Sequence, residues 1–250
     1  MPIVKALSEG LVGNKINWLA VIINGTGNFI LTEMRDKGRD FADVLKEAQE
    51  LGYAEADPTF DVEGIDAAPK LTILSSIAYG IPLQFEHCYT EGISKVSPQD
   101  VEFAEELGYR IKHLGVSRRT DKGIDLRVHP TLIPESRTIA KVDGVLNAVT
   151  VNGDAVGDTL YVGAGAGAGP TASAVVADVI DLARTFDAPA SASVNHLAFD
   201  TIDDVRVLPI EQIETAYYLR IQVQDRKGVL ASIATILSNA DINIEALIQK

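Results

Sequence analysis

A short apolar run at residues 16–23 (INWLAVII) constrains the fold more than any other feature of this sequence. Its length and its β-branched residues are those of a buried strand. Residues 24–28 (NGTGN) follow at once, and asparagine and glycine tolerate the backbone angles of tight turns. The sequence therefore predicts a buried strand that ends in a turn where the backbone can approach another group closely.

The rest of the first 186 residues alternates between β-type runs and amphipathic helical stretches. Strands are predicted at residues 16–23, 109–133 and 145–163, the last with a turn at Asn152-Gly153. Helices are predicted at residues 29–38, 41–51, 66–79 and 171–185. We therefore expect an α+β fold in which these helices cover a mixed β-sheet. The exposed side of such a sheet would be largely apolar, so we expect the chain to associate with itself.

The chain ends in a smaller unit with its own pattern. Residues 217–224 alternate like a strand, 228–239 have helical spacing, and 242–248 again resemble a strand. Two strands and one helix bury too little surface to be stable alone, so we expect an incomplete β-α-β unit that is poorly ordered or completed by a partner. The predicted organisation is a first domain over 1–186, a linker over 187–214 and a partial domain over 215–250.

Charge and cysteine content exclude several classes of function. The formal net charge is −13, and an acidic surface repels phosphate groups, so we expect no binding to nucleic acids or anionic membranes. The single Cys88 excludes an internal disulfide and a cysteine-cluster metal site, and it is typical of a reducing compartment. No run of about 18 apolar residues and no signal-peptide pattern is present, so a cytoplasmic protein is expected.

The densest group of polar residues lies at 51–70 (LGYAEADPTFDVEGIDAAPK), where 53–66 is predicted to be a loop. Asp66 and Lys70 are four residues apart, so they share a face if a helix begins here. A lysine that enters a buried helix beside carboxylates indicates a site for proton transfer or for a substrate amine. The alternative is a solvated acidic loop. A calcium loop is disfavoured, because the Asp-x-Asp-x-Asp-Gly spacing is absent.

A glycine-alanine run joins a predicted strand to a predicted helix at residues 163–169 (GAGAGAG). It contains G-x-G-x-x-A, a variant of the dinucleotide-binding fingerprint, but residues 185–193 do not form the second strand that a Rossmann domain needs. What remains is a backbone that a ligand can approach closely at a helix N-terminus. The alternative is a tight turn that serves only helix packing.

The other candidates carry weaker signals. The four histidines lack metal-ligand spacing, so we expect them to be structural or on the surface and expect no metal site; they are His87, His113, His129 and His196. Gly228 lies at a predicted strand-to-helix turn, residues 225–230 (DRKGVL). This turn is either a plain β-α connection or the ligand-binding turn of an amino-acid-sensing module.

Taken together, these stretches resemble the homoserine dehydrogenase family. The similarity is most specific in residues 48–70, where the signature positions of the family are all present: Gly52, Asp57, Pro58, Asp61, Gly64, Asp66 and Lys70. It extends over residues 2–184 and includes both glycine-rich turns. The C-terminal unit resembles the first half of an ACT domain, a small ferredoxin-like regulatory fold. The N-terminal Rossmann domain of the family has no counterpart in these 250 residues.

This resemblance implies the NAD(P)-dependent interconversion of L-homoserine and L-aspartate 4-semialdehyde in threonine, methionine and isoleucine synthesis. By the same similarity, Lys70 orients or protonates the reacting oxygen, Asp66 binds the hydroxyl side of the substrate or its water, and Glu55 binds the substrate amine. The other implied contacts are Thr26, Tyr53 and Asp61 in the substrate pocket, Gly165 and Gly167 at the nicotinamide end of the cofactor, and Asp225, Gly228, Val229 and Leu230 around a threonine effector.

Two functions of different classes therefore remain open. The first is the catalytic part of an oxidoreductase that forms a homodimer or a larger homo-oligomer. The second is a non-catalytic amino-acid-binding or regulatory fragment that keeps the substrate pocket. A nucleotide-binding domain in the intact protein would favour the first function. We expect the 250-residue chain alone to be inactive, because it has no binding domain for the nucleotide half of NAD or NADP.

Overall fold

Six strands form one mixed sheet at the centre of the structure, a computed structural model that describes residues 1–187, 189, 199 and 201–250. The strands are β1 Ile16–Ile22, β2 Tyr89–Thr90, β3 Tyr109–Thr120, β4 Gly123–Pro134, β5 Leu146–Gly153 and β6 Gly157–Ala164. Their order is β2-β4-β3-β1-β5-β6, with β2 and β4 parallel and all other neighbours antiparallel. The predicted mixed sheet is confirmed.

The second long hairpin turns later than predicted. Asn152 pairs with Asp158 and Gly153 with Gly157, so residues 154–156 form the turn instead of Asn152-Gly153. The side chains of the first pair also interact, because Asn152 Nδ2 donates to Asp158 Oδ1 at 2.6 Å. This cross-strand contact extends the ladder past the asparagine-glycine pair that would otherwise favour a turn.

The described residues contain eight α-helices, and none of them is long and apolar enough to cross a membrane. They are α1 Ile3–Lys5, α2 Gly25–Lys37, α3 Phe41–Glu50, α4 Thr59–Val62, α5 Ala67–Tyr79, α6 Pro98–Glu106, α7 Ala168–Thr185 and α8 Val229–Asn239. Two of them alter the predicted loops. The Asn24 side chain caps α2, so this helix begins inside the predicted turn, and α4 lies inside the predicted loop 53–66.

Two apolar clusters hold the long helices in place. Leu71 of α5 is fully buried in the same cluster as Leu19 and Val21 of β1. The second cluster joins α2, α3 and α6 through a set of buried side chains: Ile30, Met34, Val44, Ala48, Val101 and Ala104. Because α2 follows β1 directly and α5 packs on β1, the N-terminal ends of both helices are fixed relative to the same strand.

The helix α7 differs from the other long helices, because none of its 18 residues is buried. Val175, Val176 and Val179 are each more than half exposed. The helix follows β6, which is the edge strand of the sheet, and Lys5 Nζ binds Asp181 at 2.8 Å. The prediction that this helix packs on the sheet is therefore wrong, since it begins at the edge of the sheet and buries none of its side chains.

The side of the sheet that does not face α5 is apolar only in part. Ala20, Val116 and Leu160 are partly buried there against an apolar cluster that contains Ile22 and Leu114. Arg118, which pairs with Trp18 across the ladder, lies 3.6 Å from the fully buried Asp125. An ion pair therefore interrupts this face at Arg118 and Asp125, whereas its positions at Ala20, Val116 and Leu160 are apolar as expected.

The described part of the predicted linker is bound to the first domain. The backbone of residues 203–208 hydrogen-bonds to Gly80 at the end of α5 and to Ile124 at the start of β4, with N–O distances of 2.8–3.0 Å. Val207 and Leu208 are buried. We call residues 203–208 the strap. The rest of the predicted linker lies partly outside the described residues.

The C-terminal unit contains the predicted helix α8, but residues 217–224 and 242–248 form no hydrogen-bonded ladder in the described part of the chain. In a split β-α-β unit, the two strands leave room for an intervening strand, so they do not pair with each other. The unit is attached to α6 instead. Arg220 Nε lies 2.6 Å from Asp100 Oδ1, and Lys250 Nζ lies 2.6 Å from Glu102 Oε1.

Candidate active site

The start of α5 carries the predicted lysine–carboxylate pair. Asp66 occupies the N-cap position of the helix, and Lys70 follows one turn later. Lys70 Nζ lies 2.6 Å from Asp66 Oδ2, which confirms that the two side chains share a face. The Lys70 side chain is 47% exposed, whereas its neighbour Leu71 is fully buried. The lysine therefore stays at the surface, where a small molecule can reach it, and does not extend into the core as the sequence suggested.

Asn24 connects this pair to a second carboxylate. Asn24 Nδ2 donates to Asp66 Oδ2 at 3.0 Å and to Asp61 Oδ1 at 2.8 Å. Its Oδ1 accepts the backbone N–H of Gly27 at 2.8 Å, which caps α2. The residue is itself buried. The four side chains Asn24, Asp61, Asp66 and Lys70 are thus linked by hydrogen bonds, and we call them the Asn24 cluster.

Thr26 and Tyr53 lie at the first turn of α2. Thr26 Oγ1 donates to the carbonyl oxygen of Tyr53 at 2.6 Å, so the two predicted pocket residues are in contact. The Tyr53 ring packs edge-on against Phe29, with 5.1 Å between ring centres. Thr26 is buried and the Tyr53 side chain is largely exposed. The hydroxyl of Thr26 is therefore engaged in holding the loop that carries Tyr53.

Glu55 lies in the exposed loop after α3. Gln49 Nε2 donates to the carbonyl oxygens of Glu55 and Ala56 at 3.0 and 3.3 Å, which fixes the backbone of this loop. The Glu55 carboxylate faces solvent. Asp57 Oδ1 accepts the backbone N–H of Thr59, the first residue of α4, at 3.1 Å, and its hydrogen bonds with Thr59 lower the pKa of Asp57. The loop therefore presents one free carboxylate, Glu55, on a backbone held by side chains.

The glycine run after β6 approaches the Asn24 cluster through Asn147. A Cβ at Gly165 would overlap the Asn147 amide, so a larger residue there would have to displace that side chain. Asn147 Nδ2 donates to the carbonyl oxygen of Ile23 at 3.3 Å, directly before Asn24. Gly167 has a φ of 112° and occupies the N-cap position of α7. The run therefore presents bare backbone at a helix N-terminus, on the far side of Asn147 from the end of β1.

The three histidines that the structure describes are structural or lie on the surface, as the sequence predicted. His113 is buried under Gly64 and Gly27, and its Nε2 lies 2.9 Å from the carbonyl oxygen of Glu91. Burial lowers the pKa of His113. His129 is half-buried, His87 is exposed, and His196 lies outside the described residues. No group of three or more His, Cys, Asp or Glu residues in the described ranges is placed to hold a metal ion.

The predicted effector turn is a separate, exposed feature. Gly228 has a φ of 88° and precedes α8, which begins at Val229. Asp225 and Leu230 are exposed. No hydrogen bond or ion pair within the described part of the chain joins this turn to the Asn24 cluster. The structure therefore joins Asp61, Asp66 and Lys70 through Asn24 and places Thr26 and Tyr53 at the first turn of the helix that Asn24 caps. Glu55 and the predicted effector residues make no hydrogen bond or ion pair with this cluster in the described part of the chain.

Two connecting residues were not identified as site residues from the sequence. Asn24 was assigned to a turn and Asn147 to a strand, yet each joins segments that are distant in the chain. An asparagine directly between a strand and a helix is a signal for an N-cap, so the cap could have been predicted. The bonds of Asn24 to Asp61 and Asp66 could not, because they depend on how α5 packs on β1.

Comparison with known proteins gives family matches over most of the chain. The family model described as homoserine dehydrogenase matches residues 2–180, and the ACT domain model matches residues 217–250. A homoserine dehydrogenase of Pseudomonas aeruginosa is 67% identical over 252 residues, which cover all of this chain and 58% of that protein. The chain thus spans a little more than half the length of this curated relative.

The chain is also similar to solved structures of homoserine dehydrogenases. The crystal structure of a homoserine dehydrogenase from Thiobacillus denitrificans is 65% identical, with a TM-score of 0.96 over all of this chain and 58% of that chain. A hyperthermophilic archaeal homoserine dehydrogenase mutant in complex with NADPH is 31% identical, with a TM-score of 0.63 over 74% of this chain and 53% of that chain. The first of these matches includes the C-terminal unit.

Proposed function

This chain belongs to the homoserine dehydrogenase family, and we propose that it forms the substrate-binding, acid–base part of an NAD(P)-dependent enzyme that interconverts L-homoserine and L-aspartate 4-semialdehyde. The observation that carries this proposal is the exposed Lys70–Asp66 pair at the start of α5. A positioned acid or base is required because oxidation of an alcohol removes a proton from oxygen as well as a hydride from carbon.

Lys70 supplies the proton transfer in this proposal. In the reduction direction its Nζ, as an ammonium group, gives a proton to the carbonyl oxygen and becomes a neutral amine. In the oxidation direction that neutral amine takes the proton of the substrate hydroxyl and becomes an ammonium group again. Asp66, 2.6 Å from Nζ, holds the lysine in place and accepts a hydrogen bond from the hydroxyl side of the substrate or from a water molecule. The exposure of Lys70 supports this role, since a fully buried amine could not reach a bound ligand.

Glu55 anchors the other end of the substrate. Its carboxylate is exposed, and it lies in the loop that Gln49 and Thr26 hold against α2 and α3. An ammonium group bound to this carboxylate would fix the orientation of the substrate, which lowers the entropy cost of reaching the reactive geometry. Thr26, Tyr53 and Asp61 complete the wall of the pocket between Glu55 and Lys70.

The glycine run fits the nicotinamide end of NAD or NADP. Gly165 packs against Asn147 with no room for a side chain, and Gly167 precedes an 18-residue helix whose N-terminus is exposed. Such a surface lets a flat ring approach the backbone closely. The bound cofactor accepts the hydride in the oxidation direction. This chain contributes the nearby backbone, and we propose that the nucleotide half binds to residues of the longer enzyme.

The C-terminal unit is proposed to regulate the enzyme. We assign 1–186 to the catalytic domain, 187–214 to the linker and 215–250 to part of an ACT domain that binds a pathway amino acid, threonine, at Asp225–Leu230. The bond between Arg220 and Asp100 supports a mechanical connection between this unit and the catalytic domain. We also propose a homodimer in which a second copy covers the side of the sheet that does not face α5, at Ala20, Val116 and Leu160.

The activity is tested with the whole enzyme and with the 250-residue chain. We expect the whole enzyme to oxidise L-homoserine with NAD or NADP at about 1 per second or more, as followed by absorbance of the reduced cofactor. We expect no turnover from the chain alone. A whole enzyme that binds homoserine by calorimetry but turns over neither cofactor would favour the alternative, a non-catalytic amino-acid-binding protein.

A further inference from the structure

The Asn24 side chain uses both of its donors and one acceptor lone pair at one point of the site. Its two Nδ2 hydrogens go to two different carboxylates, Asp61 and Asp66, at 2.8 and 3.0 Å. Its Oδ1 accepts the Gly27 amide at 2.8 Å. Since a backbone N–H can only donate, Oδ1 must face Gly27 and Nδ2 must face the carboxylates. The orientation of the amide is therefore fixed by its partners.

This arrangement places a neutral donor between two negative charges. Asp66 Oδ2 receives both Asn24 Nδ2 at 3.0 Å and Lys70 Nζ at 2.6 Å. Asp61 and Asp66 would repel each other without a donor between them. The amide of Asn24 is buried and is carried by the junction of β1 and α2, so its position is set by the core of the domain.

We propose that Asn24 is a positioning residue for the reaction: it holds Asp66 at the distance from Lys70 that proton transfer requires, and it bridges the Asp61 and Asp66 carboxylates. This inference rests on the proposed function, because it assigns Lys70 to proton transfer. Asn24 acts through Asp66 and does not contact the reacting atoms. Its cap on α2 and its bonds to the carboxylates are separable, because they use different atoms.

The charged and titratable groups around Asn24 come from three elements. Asp61 lies on α4, and Asp66 and Lys70 lie at the start of α5. His113 of β3 lies behind Gly27, with its Nδ1 3.6 Å from the position of a Cβ on that glycine. A change of charge at residue 24 therefore acts mainly on the Lys70–Asp66 pair. The α2 backbone separates His113 from the side chain of residue 24.

Two substitutions in the whole enzyme separate the cap from the positioning role. Serine and aspartate are both good N-cap residues, so Asn24→Ser and Asn24→Asp keep an acceptor for the α2 amides. Aspartate has no donor when ionised, and serine offers one hydroxyl hydrogen on a shorter side chain in place of two amide hydrogens. Neither variant can therefore bridge Asp61 and Asp66 as Asn24 Nδ2 does. We expect kcat to fall about 10- to 100-fold in both variants, because small displacements of reacting groups have effects of this size. The added carboxylate in Asn24→Asp favours the protonated form of the Lys70–Asp66 pair. The pH–rate profile of this variant should therefore also move to higher pH.

Asn17→Ser is the matched control, because Asn17 lies on the same strand and its Nδ2 donates to Asn152 in an exposed position. We expect wild-type kcat and an unchanged pH–rate profile from this variant. If Asn24 only caps α2, Asn24→Ser and Asn24→Asp will also keep wild-type kcat and an unchanged profile, and the inference is overturned. Loss of folding in both variants would overturn it too, because Asn24 would then belong to the fold.

Lys70→Ala, assayed in parallel, distinguishes a failure of this inference from a failure of the proposed function. If Lys70→Ala loses turnover while both Asn24 variants keep it, only the positioning role is wrong. If Lys70→Ala keeps wild-type turnover, the assignment of proton transfer is wrong, and the role of Asn24 falls with it.

Discussion

Arg220 binds the same carboxylate that caps α6. Its Nε lies 2.6 Å from Asp100 Oδ1, while the backbone N–H of Ser97 donates to Asp100 Oδ2 at 2.9 Å. The Tyr218 hydroxyl also donates to Asp100 Oδ1, at 3.0 Å. One side chain therefore closes a capping box and fastens the C-terminal unit to the first domain.

We expect Asp100→Asn to lower the free energy of unfolding by about 1–3 kcal/mol, the usual effect of removing the charge from a buried acceptor. Urea unfolding measures this change. The control is Glu102→Gln on the same helix, whose ion pair with Lys250 is exposed and should change stability little. Equal stability of wild type and Asp100→Asn would show that the capping box and the Arg220 contact contribute nothing measurable.

Asp143 should make stability depend on pH at the acidic end. Burial raises the pKa of Asp143, but hydrogen bonds from Arg35 and Lys112 lower it more, to about 2. Because its pKa is lower in the folded state, its contribution is present above the ordinary aspartate value of about 3.9 and is lost as the pH falls toward 2. The difference in melting temperature between wild type and Asp143→Asn should therefore shrink from pH 5 to pH 2. A constant difference over this range would contradict the pKa shift.

Lys70→Ala in the whole enzyme should lower turnover about 100-fold or more, which is the usual contribution of a positioned acid or base. Asp66→Asn should have nearly the same effect, because it removes the charge that holds Lys70. Neither variant should melt at a clearly different temperature, since the pair is at the surface. A structural lysine would behave in the opposite way, with lower stability and unchanged turnover per folded molecule.

Glu55→Gln should act mainly on substrate affinity. An anchor for the substrate amine contributes about equally to the ground state and the transition state, so KM for homoserine should rise while kcat changes little. Steady-state kinetics at several homoserine concentrations separate the two parameters. A large loss of kcat with an unchanged KM would place Glu55 at the reacting atoms and not at the amine.

Gly64→Ala should be strongly destabilising. Gly64 has a φ of 77°, and a Cβ there would lie 3.0 Å from both Thr90 and Val128. Backbone strain and overpacking together predict a loss of about 2–5 kcal/mol. Gly38→Ala is the matched control, since Gly38 has a φ of 61° but nothing within 4 Å, and strain alone predicts about 1–2 kcal/mol. Equal losses in thermal unfolding would show that the space around Gly64 can adapt.

Local patterns predicted most of the fold. The apolar run at 16–23 and the spacing of Leu71 and Leu74 identified the strand and the helix that form the main cluster. The failures concern contacts that no local pattern contains. The sequence of α7 is amphipathic enough to suggest packing, yet its apolar side chains remain exposed, because the order of the strands places β6 at the edge of the sheet.

The candidate site was predictable where its residues are close in the chain. Asp66 and Lys70 are four residues apart, so helical geometry alone brings them together. The bond of Asn24 to Asp66 spans 42 residues and the bond of Arg220 to Asp100 spans 120. Contacts of this kind depend on the packing of whole elements, which a single sequence does not reveal through periodicity or spacing.

The strap has a consequence for protein engineering. Leu208 is fixed to Ile124, Ile213 is buried, and Tyr218 is bound to Asp100, so no more than five residues separate successive attachments. Five residues span at most about 18 Å even when fully extended. The C-terminal unit is therefore not joined to the first domain by a flexible linker. A chimera that replaces this unit with another sensor module should keep residues 203–220 of this chain in front of the donor module. Otherwise the surface on α5, β4 and α6 to which these residues bind has to be rebuilt.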